Sequence, residues 1–233
     1  MMRAGVGATP LNFVAYPPML CYACPMRFQE YKYLVRSDLY RLTGKSSWGL
    51  LLRFLLRGEA FKYVFWMRTC TYTTSNKVLR WTVAPFARWM LHRLKFKFGI
   101  AIPFTAKIGP GFYIGHFGGI VVNVHSVIGR NCNISHGVTL GQANRGKRKG
   151  YPTVGDNVYI GPGAKIVGNV RVGNNVAIGA NCVVSDDVPD NAVVVGIPAK
   201  IISYNGSAGY VRYTDYDKVE HEDVKAQGRI VNG

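Results

Sequence analysis

Acidic residues are scarce in this 233-residue chain: 12 Asp and Glu stand against 29 Lys and Arg, a formal charge of +17. Such an excess points to anionic partners, whether a phospholipid surface, nucleic acid or phosphorylated small molecules, and does not choose among them. Cysteine is sparse and odd in number, five in all, which argues against a secreted disulfide framework and for a reducing compartment. Cys21 and Cys24 make a lone C-x-x-C with no second pair to complete a zinc site. Long apolar runs are missing too. Arg53, Arg57, Glu59 and Lys62 interrupt the best candidate, so no membrane-spanning helix is expected. The first 25 residues carry one basic residue and three prolines within their last nine positions, a poor signal peptide. Residues 1–26 read as disordered or as an upstream extension, with Met26 the real start.

Apolar residues, at 48%, suffice for a buried core. They are distributed in two different patterns. Residues 27–99 are rich in aromatics and arginine, with fifteen Lys or Arg against three acids, Glu30, Asp38 and Glu59. Within them, residues 48–67 and 78–98 are expected to be helical, with weak points at Gly58 and Pro85. Broad apolar faces of Trp, Phe and Leu beside Lys and Arg suit a helix lying in the headgroup region of an anionic bilayer. A nucleic-acid role is disfavoured, because the basic residues sit on apolar helices outside any recognised binding motif.

From residue 100 the spacing becomes regular. Val154, Ile160, Ile166, Val172, Ile178 and Val184 keep an unbroken period of six, and the fourth residue after each is small or apolar. The same phase runs through Ile102, Ile108 and Ile114, then Val122, Ile128, Ile134 and Leu140. A six-residue period marks a parallel β-helix, in which three short strands make one triangular coil and each coil buries its residues on the next. Cys132 and Cys182 then fall at inward positions as small hydrophobes. The period breaks once inside the run, with eight residues from Ile114 to Val122. It breaks again from Leu140 to Val154, a step of fourteen that expels an arm within QANRGKRKGY. If the short break is a bulge within Phe117–Gly119, one coil takes twenty residues, and His116 and His136 come to the same edge of consecutive coils. His125 sits at a different point of its hexapeptide and reads as structural or exposed. No metal site is expected.

The segments IPFTAKIGPGFYIGHFGGIVVNVHSVIG, HGVTLG, VYIGPGAKIVGNVRVG and GIPAKII resemble the serine acetyltransferase branch of the hexapeptide acyltransferases. That resemblance implies a mainly β protein: a left-handed parallel β-helix over residues 100–202, preceded by the helical region 27–99 and followed by a polar tail, 203–233. It implies a homotrimer that uses acetyl-CoA, without metal, and a histidine general base, which His116 in HFGGIVV matches; His136 is the second catalytic candidate. An imidazole titrates near neutrality, as proton removal from an alcohol requires. Gly141, Gly161, Ala164, Gly179 and Ala180 are candidates to let a pantetheine arm approach the backbone, and Lys165 and Lys200 to meet CoA phosphates. Arg145, Lys147, Arg148 and Lys149 on the arm are weaker candidates for CoA phosphates or an acidic acceptor.

The departures from the family pattern steer the expected acceptor. The aspartate that the family places fifteen residues before its base is Ala101 here, and the Arg and His before the proline of its long loop are Gly150 and Tyr151. With HGVTLGQ followed by a basic loop, the nearer resemblance is to O-acetyltransferases of polysaccharide gene clusters. The expectation is therefore an acetyl-CoA-dependent O-acetyltransferase acting on a saccharide or lipid-linked saccharide of capsule, exopolysaccharide or O-antigen. It would be cytoplasmic and peripheral on the inner face of the cell membrane through residues 48–98. Serine O-acetyltransferase of cysteine biosynthesis is the alternative.

Overall fold

The computed structural model describes residues 25–217. The expectations placed on Cys21, Cys24 and the rest of residues 1–24, and on residues 218–233, lie outside the described residues.

Five helices come first: α1 (Phe28–Thr43), α2 (Trp48–Arg57), α3 (Glu59–Ser75), α4 (Leu79–Thr82) and α5 (Ala84–Phe98). Their ends follow local chemistry. Glu30 reaches back to the Arg27 backbone N–H to open α1, and Gly44 closes it in the left-handed conformation. Ser47 accepts from the Leu50 N–H at the start of α2. The expected helix over 48–67 is broken at Gly58, where a Cβ would stand 2.6 Å from the Phe54 carbonyl oxygen. Pro85 lies in the first turn of α5, where its missing N–H leaves no helical bond unmade.

Fifteen short strands, from Ile100–Ala101 to Lys200–Ser203, then wind into three sheets of five, four and six strands. All pairings are parallel except the last, between Val193–Val195 and Lys200–Ser203. This is a left-handed parallel β-helix with an N-terminal helical region. Register follows the hexapeptide phase: Ile108 pairs with Ile128 and that with Val154, while Ile114 pairs with Ile134, then Ile160 and Ile178. Each of these side chains is buried, as are Val158, Ala164, Val170, Val176 and Cys182 at the companion inward positions. Burial pushes the Cys132 thiol up to about 12, which suits a packing role for it.

One corner carries a ladder that the hydrophobic period does not reveal. Asn131, Asn157 and Asn175 each have φ +55° and Asn191 has φ +61°. Their side-chain amides bond in series at 2.9, 3.1 and 3.2 Å. Asn tolerates the left-handed region better than other residues with a Cβ, and each amide bond adds about 1 kcal/mol.

The helices close the open end of the β-helix. Ile108, Gly109 and Gly111 belong to the first coil, which has no preceding coil to satisfy its outward carbonyls. Arg68 of α3 donates to the Ile108 and Gly109 carbonyls at 2.7 and 2.6 Å and to the Asp38 carboxylate of α1. Asp38 in turn accepts from the Phe112 N–H at 2.7 Å. Burial pushes the Asp38 carboxyl up against the opposing pull of Arg68, yet its two bonds from the guanidinium require the ionised form. Arg41 donates to the Gly111 carbonyl and to Asn133, and the Tyr63 hydroxyl both donates to and accepts from Ile102.

Residues after 203 do not simply trail away from the domain. Tyr216 is buried, with its ring packed edge-on to Tyr33 and Tyr40 of α1, and Arg130 bonds Asp217. This segment ties the second coil to the helices.

The capping bonds give a direct test. Removing one partner of a buried, hydrogen-bonded pair costs about 3–5 kcal/mol. Asp38→Ala should lower the unfolding free energy by that amount in urea titration, and a loss under about 1 kcal/mol would show that the cap is dispensable.

Candidate active site

The two imidazoles expected together are together. The coil that contains Ile114 does take twenty residues before Ile134 pairs with it, so His116 and His136 occupy equivalent places on consecutive coils. Their ring centroids are 6.1 Å apart and the rings are inclined at 71°, edge to face. Both side chains are exposed. Carrying the register onward puts Pro162 and Ala180 beneath them in the same corner column.

The bulge is Phe117–Gly118. Gly119 aligns with Gly137, since Ile120–Val122 runs in step with Val138–Leu140. Gly118 has φ +113°, a conformation that residues with a Cβ rarely adopt, and a Cβ built there would meet nothing within 4 Å. Phe117 leans onto Phe98, the last residue of α5, with centroids 5.2 Å apart. The bulge thus anchors the histidine corner to the helical layer as well as lengthening it.

No carboxylate among the described residues bonds either imidazole. Ala101 sits in an outward strand position, paired with Val121. The cation near the site is Lys165, whose ammonium bonds the Gly137 carbonyl, one residue beyond His136. The sequence carried no sign of that contact, because Lys165 and Gly137 are brought together only by coil stacking.

The other expected site residues divide. Ala164 is fully buried inside the coil and can touch no cofactor. Gly161 serves stacking, since a Cβ there would lie 2.8 Å from the Ile178 carbonyl oxygen, and one at Gly179 would lie 2.8 Å from the Val195 side chain. Ala180 and Lys200 are exposed and Gly141 is partly exposed. On the arm, Arg148 is committed to structure: it bonds Asp187 at 2.9 Å and Asp186 at 3.5 Å and holds the arm to the lower coils. Arg145, Lys147 and Lys149 are exposed and form no ion pair with a described residue. His125 packs on Tyr151 at another corner, with ring centroids 4.6 Å apart. No group of three or more metal-ligating side chains gathers among the described residues.

The fold is a left-handed β-helix of hexapeptide repeats that carries paired, exposed imidazoles at a bulged corner. The chain belongs to the hexapeptide-repeat transferase family, and its homologues are serine acetyltransferases. The family model described as bacterial transferase hexapeptide (six repeats) matches residues 151–186. The serine acetyltransferase of Synechococcus elongatus is 38% identical over 140 residues, 60% of this chain and 56% of the relative. The chain spans about half the length of the curated relatives it matches. Among solved structures, Neisseria gonorrhoeae serine acetyltransferase in complex with serine is 31% identical, with TM-score 0.61, over 76% of this chain and 70% of that one. Brucella abortus serine acetyltransferase in complex with coenzyme A is 29% identical, with TM-score 0.64, over 77% and 70%.

These relatives contradict the saccharide acceptor expected from Ala101, Gly150 and Tyr151, and they lend no support to the affinity to polysaccharide-cluster enzymes. Geometry explains why those positions misled. Gly150 turns the chain through φ +138° at the base of the arm, where it pairs with Ala143, so its identity reports the turn. Tyr151 is engaged with His125. The absent carboxylate at Ala101 concerns what could orient a base and says nothing of which hydroxyl the base meets.

The bulge is testable apart from any chemistry. Because space around Gly118 is open, Gly118→Ala changes only backbone strain, and urea titration should show a loss of about 1–3 kcal/mol. An unchanged midpoint would mean that the corner adopts another conformation in solution.

Proposed function

We propose that this chain is a serine O-acetyltransferase, moving an acetyl group from acetyl-CoA to the serine hydroxyl. The observation that carries the reading is the exposed His116–His136 pair at the bulged corner of a fold whose homologues bear that name. In this reading His116 removes the hydroxyl proton as the oxygen attacks the thioester carbonyl. The tetrahedral intermediate then collapses, the carbon–sulfur bond breaks, and the CoA thiolate leaves and takes the proton back from the His116 imidazolium. His136, on the same space, donates a hydrogen bond to the developing oxyanion. No covalent enzyme intermediate is required.

Acetyl-CoA would lie along the histidine column, where Ala180 offers little side chain and Gly141 leaves a neighbouring strand edge bare, with Lys165 and Lys200 toward its polar groups. Phe117 and Val121, 39% and 48% exposed beside the corner, are the apolar surface that packing in a homotrimer would cover. The serine carboxylate needs a cation, and Arg145, Lys147 and Lys149 are the exposed ones on the arm; because the arm leaves the corner of His125 and Tyr151, they would meet serine at the His116 corner of a neighbouring copy in a homotrimer.

His116→Ala should abolish CoA release with serine while leaving the melting curve in place, and His136→Gln should lower kcat by about 10²–10³. Replacing Arg145, Lys147 and Lys149 with Ala should raise the KM for serine and leave kcat near wild type. Wild-type protein that releases no CoA with serine, or a His116→Ala variant with full turnover, would overturn the assignment.

A further inference from the structure

The helical layer presents an uncovered aromatic and basic face. Helix α5 carries three stripes. Ala84, Ala87, Leu91, Leu94 and Phe98 are buried toward the β-helix. Arg88, His92 and Lys95 rim a cavity of about 400 Å³ between α5 and the first strands, floored by apolar atoms. The third stripe, Phe86, Trp89 and Phe96, is at least half exposed, and Lys95 borders both it and the cavity through its contact with Phe96.

That stripe is continuous with the rest of the layer through ring contacts. Phe65 meets Trp66 on α3 at 5.5 Å, Trp66 meets Phe86 at 5.6 Å, and Phe86 meets Trp89 at 5.7 Å. Phe65 also packs on the cluster beneath α2. Helix α2 has no buried residue, and its Trp48, Leu52 and Leu56 are 82%, 60% and 68% exposed on one side. All four tryptophans of the chain, Trp48, Trp66, Trp81 and Trp89, therefore belong to this layer, and Trp81 is 82% exposed.

Charge determines what can cover such a face. Arg53 and Arg57 on α2 and Arg93, Lys95 and Lys97 on α5 are exposed on the helices that carry these rings, and Glu59 is the sole acid between residues 48 and 98. Arg93 lies over Trp89 at 5.2 Å and Lys95 over Phe96 at 5.8 Å. A second copy of this surface would bring the same positive rows together. No described helix is long and apolar enough to cross a membrane. We propose that this face docks on an anionic phospholipid bilayer, with the rings at the level of the headgroups and the Lys and Arg heads on lipid phosphates.

Because Trp48, Trp81 and Trp89 are exposed on these helices and Trp66 packs on Phe86, tryptophan emission reports the contact. Full-length protein should bind vesicles of phosphatidylcholine mixed with phosphatidylglycerol, with a blue shift of emission and quenching by brominated lipid, and bind phosphatidylcholine alone far less. Charge reversal at Arg93, Lys95 and Lys97 to Glu should weaken the partition roughly tenfold or more and leave acetyl transfer in solution unchanged. Leu52→Ser with Leu56→Ser should weaken it independently of α5. Absence of binding to the anionic vesicles, equal binding to both vesicle types, or variants that change the oligomeric mass with no effect on vesicle binding would each overturn the proposal. So would duplex DNA that binds the same face in preference to anionic vesicles at equal salt. The readout needs no turnover, so it stands or falls separately from the acetyl-transfer assignment.

Discussion

Every coil of a parallel β-helix satisfies its backbone on the coil before and the coil after, so the first coil is the point at which the whole stack is exposed. Here that edge is closed by two arginines of the helical region. Arg68, fixed by Asp38, takes the Ile108 and Gly109 carbonyls, and Arg41 takes the Gly111 carbonyl. An uncapped edge would leave buried acceptors unpaired and a row of strands open to adventitious pairing. The helices are therefore a structural part of the solenoid.

Below that cap, register does the remaining work. Pairings repeat every eighteen residues where a coil is regular, as between Val154 and Val172, and every twenty where Phe117–Gly118 is inserted. The insertion leaves the inward residues in phase and alters one corner. It places Phe117 on Phe98 and leaves His116 outward beside His136. The stacking of the coils thus sets the two imidazoles side by side, with Ala101 offering no carboxylate to either.

The aliphatic hexad made the β-helix and its inward side chains legible, because burial in a coil demands one large apolar residue every six positions whatever the rest of the sequence does. Counting that phase also reached the His116–His136 pair, since a two-residue insertion has a fixed consequence for everything after it. Contacts made by long side chains across coils were not legible in the same way. In the sequence Arg68, Asp38 and Arg41 are legible only as charges of the region 27–99, yet they are buried against backbone that lies tens of residues away. Ala164 looked like a gap for a cofactor because a small residue reads alike whether it faces a ligand or a crowded interior. The asparagine ladder went unseen for a related reason: its positive φ is a property of the corner, and the aliphatic period is silent there. The acceptor was misjudged because Gly150 and Tyr151 were taken as lost binding groups when the arm's own turn and the His125 ring account for them.

The central claim is that the paired imidazoles face the reacting hydroxyl. A crystal structure of the protein with coenzyme A and serine would test it most directly. The account requires the serine hydroxyl within about 3 Å of a His116 ring nitrogen, with the CoA sulfur on the same side of the corner. Serine bound at another corner, or with its hydroxyl turned away from both His116 and His136, would contradict it.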